Sequence, residues 1–379
     1  MLPFNYAERR RRFQTAMEVA GFDASFIPIS ADLQYLTGLE RRVPTFGDIG
    51  YPHDWTAGML IGVDTEPVFV LPRMMVEFDL PAGIPGDLIT VAELDDGLAT
   101  FAAAASRFGP VRRLGIGARL RGDAVIHALD AFSSPELGNA SPLINEMRRT
   151  KSADELVYMQ RAATIADTAM SAVTEKVRSG VTERELAEEI DHQMALAGSR
   201  VPSFDTGVWS IGVGLDRDAD TRLSSDTIVP GTSVSFDFGA VVDGYCSDFG
   251  RTIHVGEPTA SFVAGYDLVM EAQAAGLAAV RPGVTAAAVH HACRDVIVGA
   301  GLGDRFRHRT GHCIGLDVHE LPYISEEDET PLEPGMTFTI EPSLYRSDEI
   351  GVRVEDIIVC EPYGGRKLND YPTDLVVVE

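Results

Sequence analysis

Five acidic and imidazole side chains in the C-terminal half of the chain are spaced as the ligands of a dinuclear metal site would be. Carboxylates with one imidazole suit two divalent ions such as Mn²⁺ or Co²⁺, and they also accept Zn²⁺ or Fe²⁺. Two such ions, about 3.5–4 Å apart, can bridge a water, lower its pKa and polarise a carbonyl. The pattern therefore predicts metal-assisted hydrolysis by Asp237, Asp248, His312, Glu341 and Glu355.

The first two carboxylates lie in the segment VSFDFGAVVDGYCSDFGRT, which predicts two strands around a glycine turn. We expect Asp237 and Asp248 to face each other across this hairpin, on one face of the sheet. Two buried carboxylates at such a short distance repel each other strongly unless a cation lies between them. The competing interpretation, exposed strand carboxylates, is disfavoured because Phe236 and Phe238 flank Asp237.

Three histidines fall close together, at His308, His312 and His319. Imidazole can bind a metal ion when neutral and can donate a proton near pH 7, so these residues suit both ligation and catalysis. Unrelated surface histidines are the alternative. Arg353, two residues before Glu355, should project from the same side of its strand and compensate charge there, unless it is an ordinary surface arginine.

These segments resemble the metal-binding motifs of metallopeptidases with the pita-bread fold, namely Xaa-Pro dipeptidases (prolidases), Xaa-Pro aminopeptidases and, more distantly, methionine aminopeptidases. The resemblance extends over essentially the whole chain and is strongest over residues 233–358. It implies that the five residues bind two metal ions and that Glu341 is also the general base. It further implies that His308 and His319 contact the substrate and stabilise the tetrahedral intermediate, and that Arg353 orients the carboxylates.

The length of 379 residues predicts two domains. In the N-terminal part, helical spacing over residues 8–21 alternates with strand-like segments such as ASFIPIS, GMLIGVD and EPVFVLP, which predicts an α/β layer. The segment SSPELGNASP is expected to be a loop, followed by a long amphipathic helix with Ser152 or Asp154 as its cap. The resemblance implies an α+β protein, with a creatinase-type α/β domain over residues 1–145 and a pita-bread catalytic domain over residues 146–379.

A faint internal repeat runs through the C-terminal part. The segment VRSGVT, ending at Thr182, recurs 103 residues later as VRPGVT, ending at Thr285. Both copies place a glycine turn before a helix that begins after threonine, and Thr182 with Glu185 forms a capping-box pattern. The pita-bread resemblance implies such a pseudo-twofold domain, with the metal site between its halves.

One position departs from the family pattern. Peptidases of this family usually carry a substrate-contacting histidine about 17 residues before the first aspartate ligand, where this chain has Asp220. Either the loop is shifted and another group fills the role, or the substrate differs. In the second case, Asp218 or Asp220 could pair with a cationic substrate group.

Composition restricts the partners. A net charge of −25 argues against nucleic-acid binding through a basic surface. The first residues show no apolar signal-peptide segment and no stretch is apolar enough for a membrane span, so we expect a cytoplasmic protein. The four cysteines imply no disulfide framework and are expected to be reduced. The resemblance suggests a homodimer formed through the N-terminal domain.

The leading hypothesis is a dinuclear-metal-dependent exopeptidase that acts on short peptides with proline in second position, as a dipeptidase or an aminopeptidase. A second hypothesis is a non-peptidase hydrolase or lyase of the same fold that acts on a small metabolite, which Asp220 favours. A third is a non-catalytic binding protein. Such proteins usually lose metal ligands, and all five are present here.

Replacing Asp220 by His restores the family's usual residue and should raise kcat/KM on Xaa-Pro peptides relative to non-proline peptides, because it removes negative charge from an acidic site. The ratio of the two kcat/KM values in variant and parent measures the effect. An unchanged ratio would place Asp220 outside the substrate pocket.

Overall fold

The chain folds as two units, Met1–Arg148 and Arg149–Glu379. The computed structural model describes residues 4–41, 50–80, 84–212, 223–346 and 349–379.

The first unit is built on one six-stranded mixed sheet in the order β4-β3-β2-β1-β5-β6. Its central strand pairs antiparallel with β2 and parallel with β5. The strands are Ala24–Pro28 (β1), Gly58–Gly62 (β2), Val68–Pro72 (β3), Asp87–Val91 (β4), Arg113–Ile116 (β5) and Glu136–Asn139 (β6). The helices are Tyr6–Val19 (α1), Ala31–Thr37 (α2), Arg73–Phe78 (α3), Gly97–Ala105 (α4), Gly122–Ala131 (α5) and Ser141–Arg149 (α6).

The alternating strands and helices confirm the predicted α/β layer, and apolar side chains from both element types form its core. The loop interpretation of SSPELGNASP is wrong, because β6 lies within it and α6 begins at its end. The residues of this segment have weak strand propensity. They form a strand because they pair with β5, with Glu136 opposite Arg113.

The second unit contains a four-stranded sheet, a five-stranded sheet and two small hairpins. Its first strands are Gly207–Gly212 (β7), Thr232–Phe238 (β8), Val241–Val242 (β9), Tyr245–Cys246 (β10) and Phe249–Val255 (β11). The later strands are Gly311–Cys313 (β12), Glu320–Ile324 (β13), Thr337–Ile340 (β14), Ser343–Arg346 (β15), Ile350–Arg353 (β16), Asp356–Glu361 (β17), Gly364–Lys367 (β18) and Val376–Val378 (β19). The helices are Ala153–Thr174 (α7), Glu183–Leu196 (α8), Ala260–Ala279 (α9) and Ala286–Gly299 (α10).

The internal repeat is visible in the backbone of the second unit. Thr182 and Thr285 cap α8 and α10, which both have 14 residues. Gly180 precedes the first cap and Gly283 the second. Each has a positive φ and donates its N–H to a backbone carbonyl later in the chain. Helix α7 packs against α8 and α9 against α10. The antiparallel series β7-β8-β11 in one sheet corresponds to β12-β14-β17 in the other. These features confirm the pseudo-twofold domain.

The long amphipathic helix expected after the segment SSPELGNASP is α7, and of the two predicted caps Ser152 is the one observed. A separate short helix, α6, precedes it. Helix α6 ends at Arg149, and α7 begins after Ser152, which forms a capping box with Glu155. The residues between them are extended because Lys151 donates its backbone N–H to Gly335 and Thr150 bridges to Met336. Helical periodicity alone could not reveal this strand-like pairing with a distant segment.

A buried ion pair stabilises the first unit. Arg148 donates to Asp32 at 2.6 Å, Ser141 donates to the second carboxylate oxygen at 2.6 Å, and both charged side chains are 5% exposed. Replacing Asp32 by Asn should destabilise the protein by about 3–5 kcal/mol, because it removes the negative charge that Asp32 places against the buried Arg148 guanidinium. Urea unfolding measures the loss.

The matched control is Asp87→Asn, which breaks the pair of Asp87 with Arg107 on the surface, where the side chains are 72% and 47% exposed. Solvent screens such pairs, so little stability should be lost. Equal effects of the two substitutions would show that the Asp32 pair is not special.

Candidate metal centre

All five predicted ligands lie in the second unit, within strands or directly beside them. Asp237 is the penultimate residue of β8, and Asp248 comes directly before β11. His312 is the central residue of β12, Glu341 follows β14, and Glu355 comes directly before β17. Asp237 and Glu341 thus occupy equivalent places in the two halves of the repeat, as do Asp248 and Glu355.

The register of the β8–β11 hairpin differs from the expected one. Asp237 lies opposite Gly250, not opposite Asp248. The small β9–β10 hairpin, with positive φ at Asp243 and Gly244, contains the predicted glycine turn and shifts the pairing. Asp248, two residues before Gly250, still shares a sheet face with Asp237 by strand alternation. A side chain at position 250 would meet the Glu355 carboxylate at 3.0 Å, so glycine leaves room for that carboxylate.

Four of the five ligands converge within a few ångströms. One ligand atom each from Asp248, His312 and Glu355 lie within 4.8 Å of one another. The Nε2 atom of His312 is 3.3 Å from Oδ2 of Asp248 and 3.5 Å from Oε1 of Glu341. These distances allow one or more ions to bind between the side chains.

Asp237 is joined to the others through Arg353. The Nη1 atom of this arginine donates to Oδ2 of Asp237 and lies 4.0 Å from Oε2 of Glu355. Its Nη2 atom is 3.8 Å from Oε2 of Glu341. The guanidinium therefore contacts carboxylates from both halves of the repeat, which suits the orienting role predicted for Arg353.

The site is buried and rich in negative charge. Exposure of the five predicted ligands ranges from 1% for Glu355 to 7% for Glu341. Four carboxylates therefore face one guanidinium and one imidazole. Within the ranges that the structure describes, Oδ1 of Asp248 has no hydrogen-bond donor although it is buried. Buried carboxylates need cations or donors, so the donor set fits divalent ions.

Charge within the site shifts its pKa values. Burial alone would raise the pKa of Glu341, but the charge of Arg353, followed by smaller effects of the neighbouring histidines, lowers it below its usual value. Burial alone would lower the pKa of His312, but its hydrogen bond with Asp248 and the charge of Glu341 raise it. A raised pKa favours the protonated form of the His312 ring, and a metal ion would compete with that proton, so metal binding should release protons.

The other two histidines differ from each other in their surroundings. Burial, and then the charge of Arg353, lower the pKa of His308 to about 4, so this ring is neutral near pH 7. Its Nδ1 atom lies 2.6 Å from the carbonyl of Arg309, to which it must donate, and its Nε2 lies 2.5 Å from the Ser343 hydroxyl. Its substrate contact stays a prediction, since both nitrogens have protein partners.

His319 lies at the exposed side of the site. Its ring meets that of His312 edge-on, with centroids 4.2 Å apart. Burial, followed by the charges of His312 and Arg309, lowers the pKa of His319. Asp218 and Asp220, on which the alternative substrate hypothesis rests, lie outside the described residues.

Sequence reasoning missed the groups that support the ligands. The Thr339 hydroxyl accepts from the backbone of His312 at 3.1 Å and donates to Glu341 at 3.3 Å. Its position two residues before Glu341, on the same side of a strand, was the available signal. Arg251 donates to the backbone carbonyls of Gly250 and Glu355 at 2.8 and 2.7 Å.

Arg251 is held in turn by a buried carboxylate. It pairs with Asp356 at 2.7 Å, and Lys367 and Gln273 donate to the second oxygen of Asp356 at 2.6 and 3.0 Å. Burial alone would raise the pKa of Asp356, but the charges of Arg251 and Lys367 lower it. This network fixes the backbone at Gly250 and Glu355. Its members are far apart in the sequence.

Known proteins resemble both units. Residues 157–362 match the model of metallopeptidase family M24, and residues 9–150 match that of the creatinase/prolidase N-terminal domain. A Xaa-Pro dipeptidase of Pyrococcus horikoshii is 36% identical over 242 residues, covering 64% of this chain and 68% of the relative. The structure of a Xaa-Pro dipeptidase from Bacillus anthracis is similar with a TM-score of 0.87, at 28% identity, over 99% of this chain and 100% of the other. That of a prolidase from Thermococcus sibiricus has a TM-score of 0.88, at 29% identity, over the same shares.

Asp248→Asn should weaken Mn²⁺ binding by more than about 100-fold, beyond the usual effect of a group that only supports a ligand. The amide keeps the shape of the carboxylate and loses its charge. Titration followed by the electron paramagnetic resonance of free Mn²⁺ measures the affinity without reference to activity.

The control for this titration is Asp295→Asn, which removes an exposed carboxylate from α10 and changes the net charge equally. It should bind Mn²⁺ as the parent does. Equal affinity of all three proteins would exclude Asp248 as a ligand.

Proposed function

Because the chain belongs to metallopeptidase family M24, we propose that it is a metal-dependent exopeptidase that hydrolyses Xaa-Pro bonds in short peptides. The observation that carries the proposal is the burial of Asp248, His312, Glu341 and Glu355 around one point. A protein interior accommodates such a set when cations bind to it. The similar proteins described above are two Xaa-Pro dipeptidases and a prolidase. Their names support Xaa-Pro bonds as the proposed substrate.

The donors favour two divalent ions, for which we propose Mn²⁺ or Co²⁺, held by Asp237, Asp248, His312, Glu341 and Glu355. Four carboxylates and one imidazole, with no thiolate, fit these ions, and Zn²⁺ or Fe²⁺ would also bind such donors. When bound, the ions supply an activated water and polarise the scissile carbonyl.

We assign proton transfer to Glu341. A general base must be ionised, and the lowered pKa of this carboxylate keeps it so near neutral pH. It accepts the proton of the attacking water and delivers it to the leaving amine. The Thr339 hydroxyl at 3.3 Å fixes the orientation of the carboxylate.

Three further residues act on the substrate or on the ligands in this scheme. We assign contact with the substrate carbonyl and the tetrahedral intermediate to His319, whose exposed side chain lies beside the His312 ring. His308 is neutral near pH 7 and its one ring proton is donated from Nδ1 to the Arg309 carbonyl, so Nε2 accepts from the Ser343 hydroxyl and can donate to the intermediate only after it gains a proton. Arg353 keeps Asp237 in place and compensates charge until the ions bind.

We further propose a homodimer and a cytoplasmic location. The support for the homodimer is the family resemblance. The four buried free cysteines suit a reducing compartment such as the cytoplasm. Among the described residues, no helix is long and apolar enough to cross a membrane.

The direct test is an activity screen of Mn²⁺- and Co²⁺-loaded protein against Xaa-Pro dipeptides, longer Xaa-Pro peptides and non-proline dipeptides. We expect release of the N-terminal residue from Xaa-Pro substrates. Glu341→Gln should reduce kcat by about 10²- to 10⁴-fold, because the amide keeps the shape and loses the base.

Glu341 is also a proposed ligand, so the metal content of the variant must be measured with its activity. Glu361→Gln, which removes a carboxylate paired with Arg366 at the surface, is the matched control and should retain parental activity. A fully loaded Glu341→Gln protein with parental kcat would exclude the residue as base. Hydrolysis confined to non-proline substrates or to a non-peptide would contradict the proposed specificity.

A further inference from the structure

The segment between β18 and β19 is joined to the metal centre by one arginine. Residues 368–375, all within the described part of the chain, connect these two strands without forming a helix or a strand. We call this segment the strap. Strand β19, which follows it, pairs in parallel with β11, so the strap returns the chain to the sheet that contains Asp237.

Arg251 connects the strap to the ligand strands. A guanidinium has five N–H donors in a fixed plane, and each donor of Arg251 has an acceptor. Nη1 binds two carbonyls beside the ligands, as described above, and one N–H of Nη2 binds Asp356. The other two donors bind the strap. Nη2 donates to the carbonyl of Tyr371 at 3.0 Å, and Nε donates to that of Pro372 at 3.1 Å.

The Arg251 side chain lies on the side of its sheet away from the ligands. Arg251 is opposite Phe236 in β8, whereas Asp237 is opposite Gly250. Neighbouring residues of a strand project from opposite faces, so Arg251 leaves the sheet on the face that Asp237 does not use. The arginine is 2% exposed and stacks over the Phe249 ring, 4.4 Å from its centroid. It can therefore act on the metal centre through the backbone and not by contact with an ion.

Helix α7 holds the strap through three polar side chains at intervals of seven residues, which places them on one face of the helix. They are Gln160, Asp167 and Thr174. Gln160 donates to the first carbonyl of the strap at 2.6 Å. Asp167 accepts from the side chain of Asn369 at 3.0 Å and from the backbone of Asp370 at 2.7 Å. The strap is thus bound along most of the length of α7.

Tyr371 is the point at which the strap contacts both α7 and Arg251. Its hydroxyl lies 2.8 Å from that of Thr174, while its carbonyl accepts from Arg251. Its ring meets that of Phe249 edge-on, with centroids 5.9 Å apart, beside the stacked guanidinium. The strap therefore fixes one edge of the guanidinium, and another edge of the same planar group fixes the backbone at the ligands.

We propose that the strap acts through Arg251 as a positioning element for the metal centre, so that a segment that contributes no ligand sets the affinity for the metal ions. This inference rests on the proposed metal centre. If the strap moves, the guanidinium moves with it, and the carbonyls of Gly250 and Glu355 lose their donors. Coupling of this kind is reciprocal, so bound ions must also stabilise the strap.

The first test is a Mn²⁺ titration followed by electron paramagnetic resonance, at a temperature at which circular dichroism shows every variant folded. Arg251→Met should weaken Mn²⁺ binding by about 10- to 100-fold, the usual effect of losing a group that supports a ligand. Arg251→Lys keeps the charge and loses the planar fork, so its affinity should be intermediate. Tyr371→Ala leaves Arg251 and every proposed ligand in place and should weaken binding by a smaller factor.

A double variant decides whether the strap acts through the arginine. In the Arg251→Met background, Tyr371→Ala should have almost no further effect on Mn²⁺ affinity, because the connection is already lost. Arg305→Met removes a surface arginine that pairs with Asp304, changes the net charge equally and should bind Mn²⁺ as the parent does. Independent, multiplying losses in the double variant, or parental affinity in Arg251→Met, would overturn the proposal.

Hydrogen exchange followed by mass spectrometry tests the reciprocal effect without reference to activity. Mn²⁺ should slow amide exchange in residues 368–375 of the parent more than in α4 of the first unit, and Arg251→Met should lose this difference. Strap exchange that Mn²⁺ leaves unchanged in the parent would contradict the coupling.

Asp248→Asn is titrated beside these variants to separate the two possible failures. If Asp248→Asn loses affinity for Mn²⁺ and Arg251→Met does not, the metal centre stands and the role of the strap is wrong. If neither variant loses affinity, the proposed metal centre and the role of the strap are both wrong.

Discussion

Four carboxylates buried around one arginine and one histidine are the constraint on which the rest of the second unit depends. Asp237, Asp248, Glu341 and Glu355 are each at most 7% exposed. Ionised carboxylates in a protein interior cost several kcal/mol each without compensation, by order of magnitude. The chain itself offers one paired guanidinium, Arg353, and one imidazole. Divalent ions supply the missing positive charge, so the same feature that strains the metal-free protein gives it affinity for metal.

The pseudo-twofold repeat explains how the chain brings these groups together. Asp237 and Glu341 end equivalent strands, and Asp248 and Glu355 directly precede the next equivalent strands. A backbone bridge between Gly250 and Glu355 joins the two sheets at this point. Arg251 then binds the carbonyls of both bridge residues, so the ligand geometry is fixed by rigid strands and a buried cation.

Much of this arrangement could be predicted from sequence, for identifiable reasons. The proposed ligands were predicted from motifs with fixed spacing, and the α+β class from the family resemblance that those motifs carry. Capping-box residues predicted where the helices after Ser152 and Thr182 begin. The structure corrected features that depend on distant partners. Strand β6 forms because β5 pairs with it, and the α6–α7 break follows from pairing with residues near Met336.

The most direct test of the account is the location of the ions themselves. Crystals of Mn²⁺-loaded protein, measured at the manganese absorption edge, should show two anomalous peaks, each within about 2.0–2.3 Å of carboxylate oxygens from the named set, with His312 ligating one of them. A single peak bound by other residues, or fully loaded protein with Asp237 and His312 more than about 6 Å apart, would contradict a dinuclear site built from the two halves of the repeat.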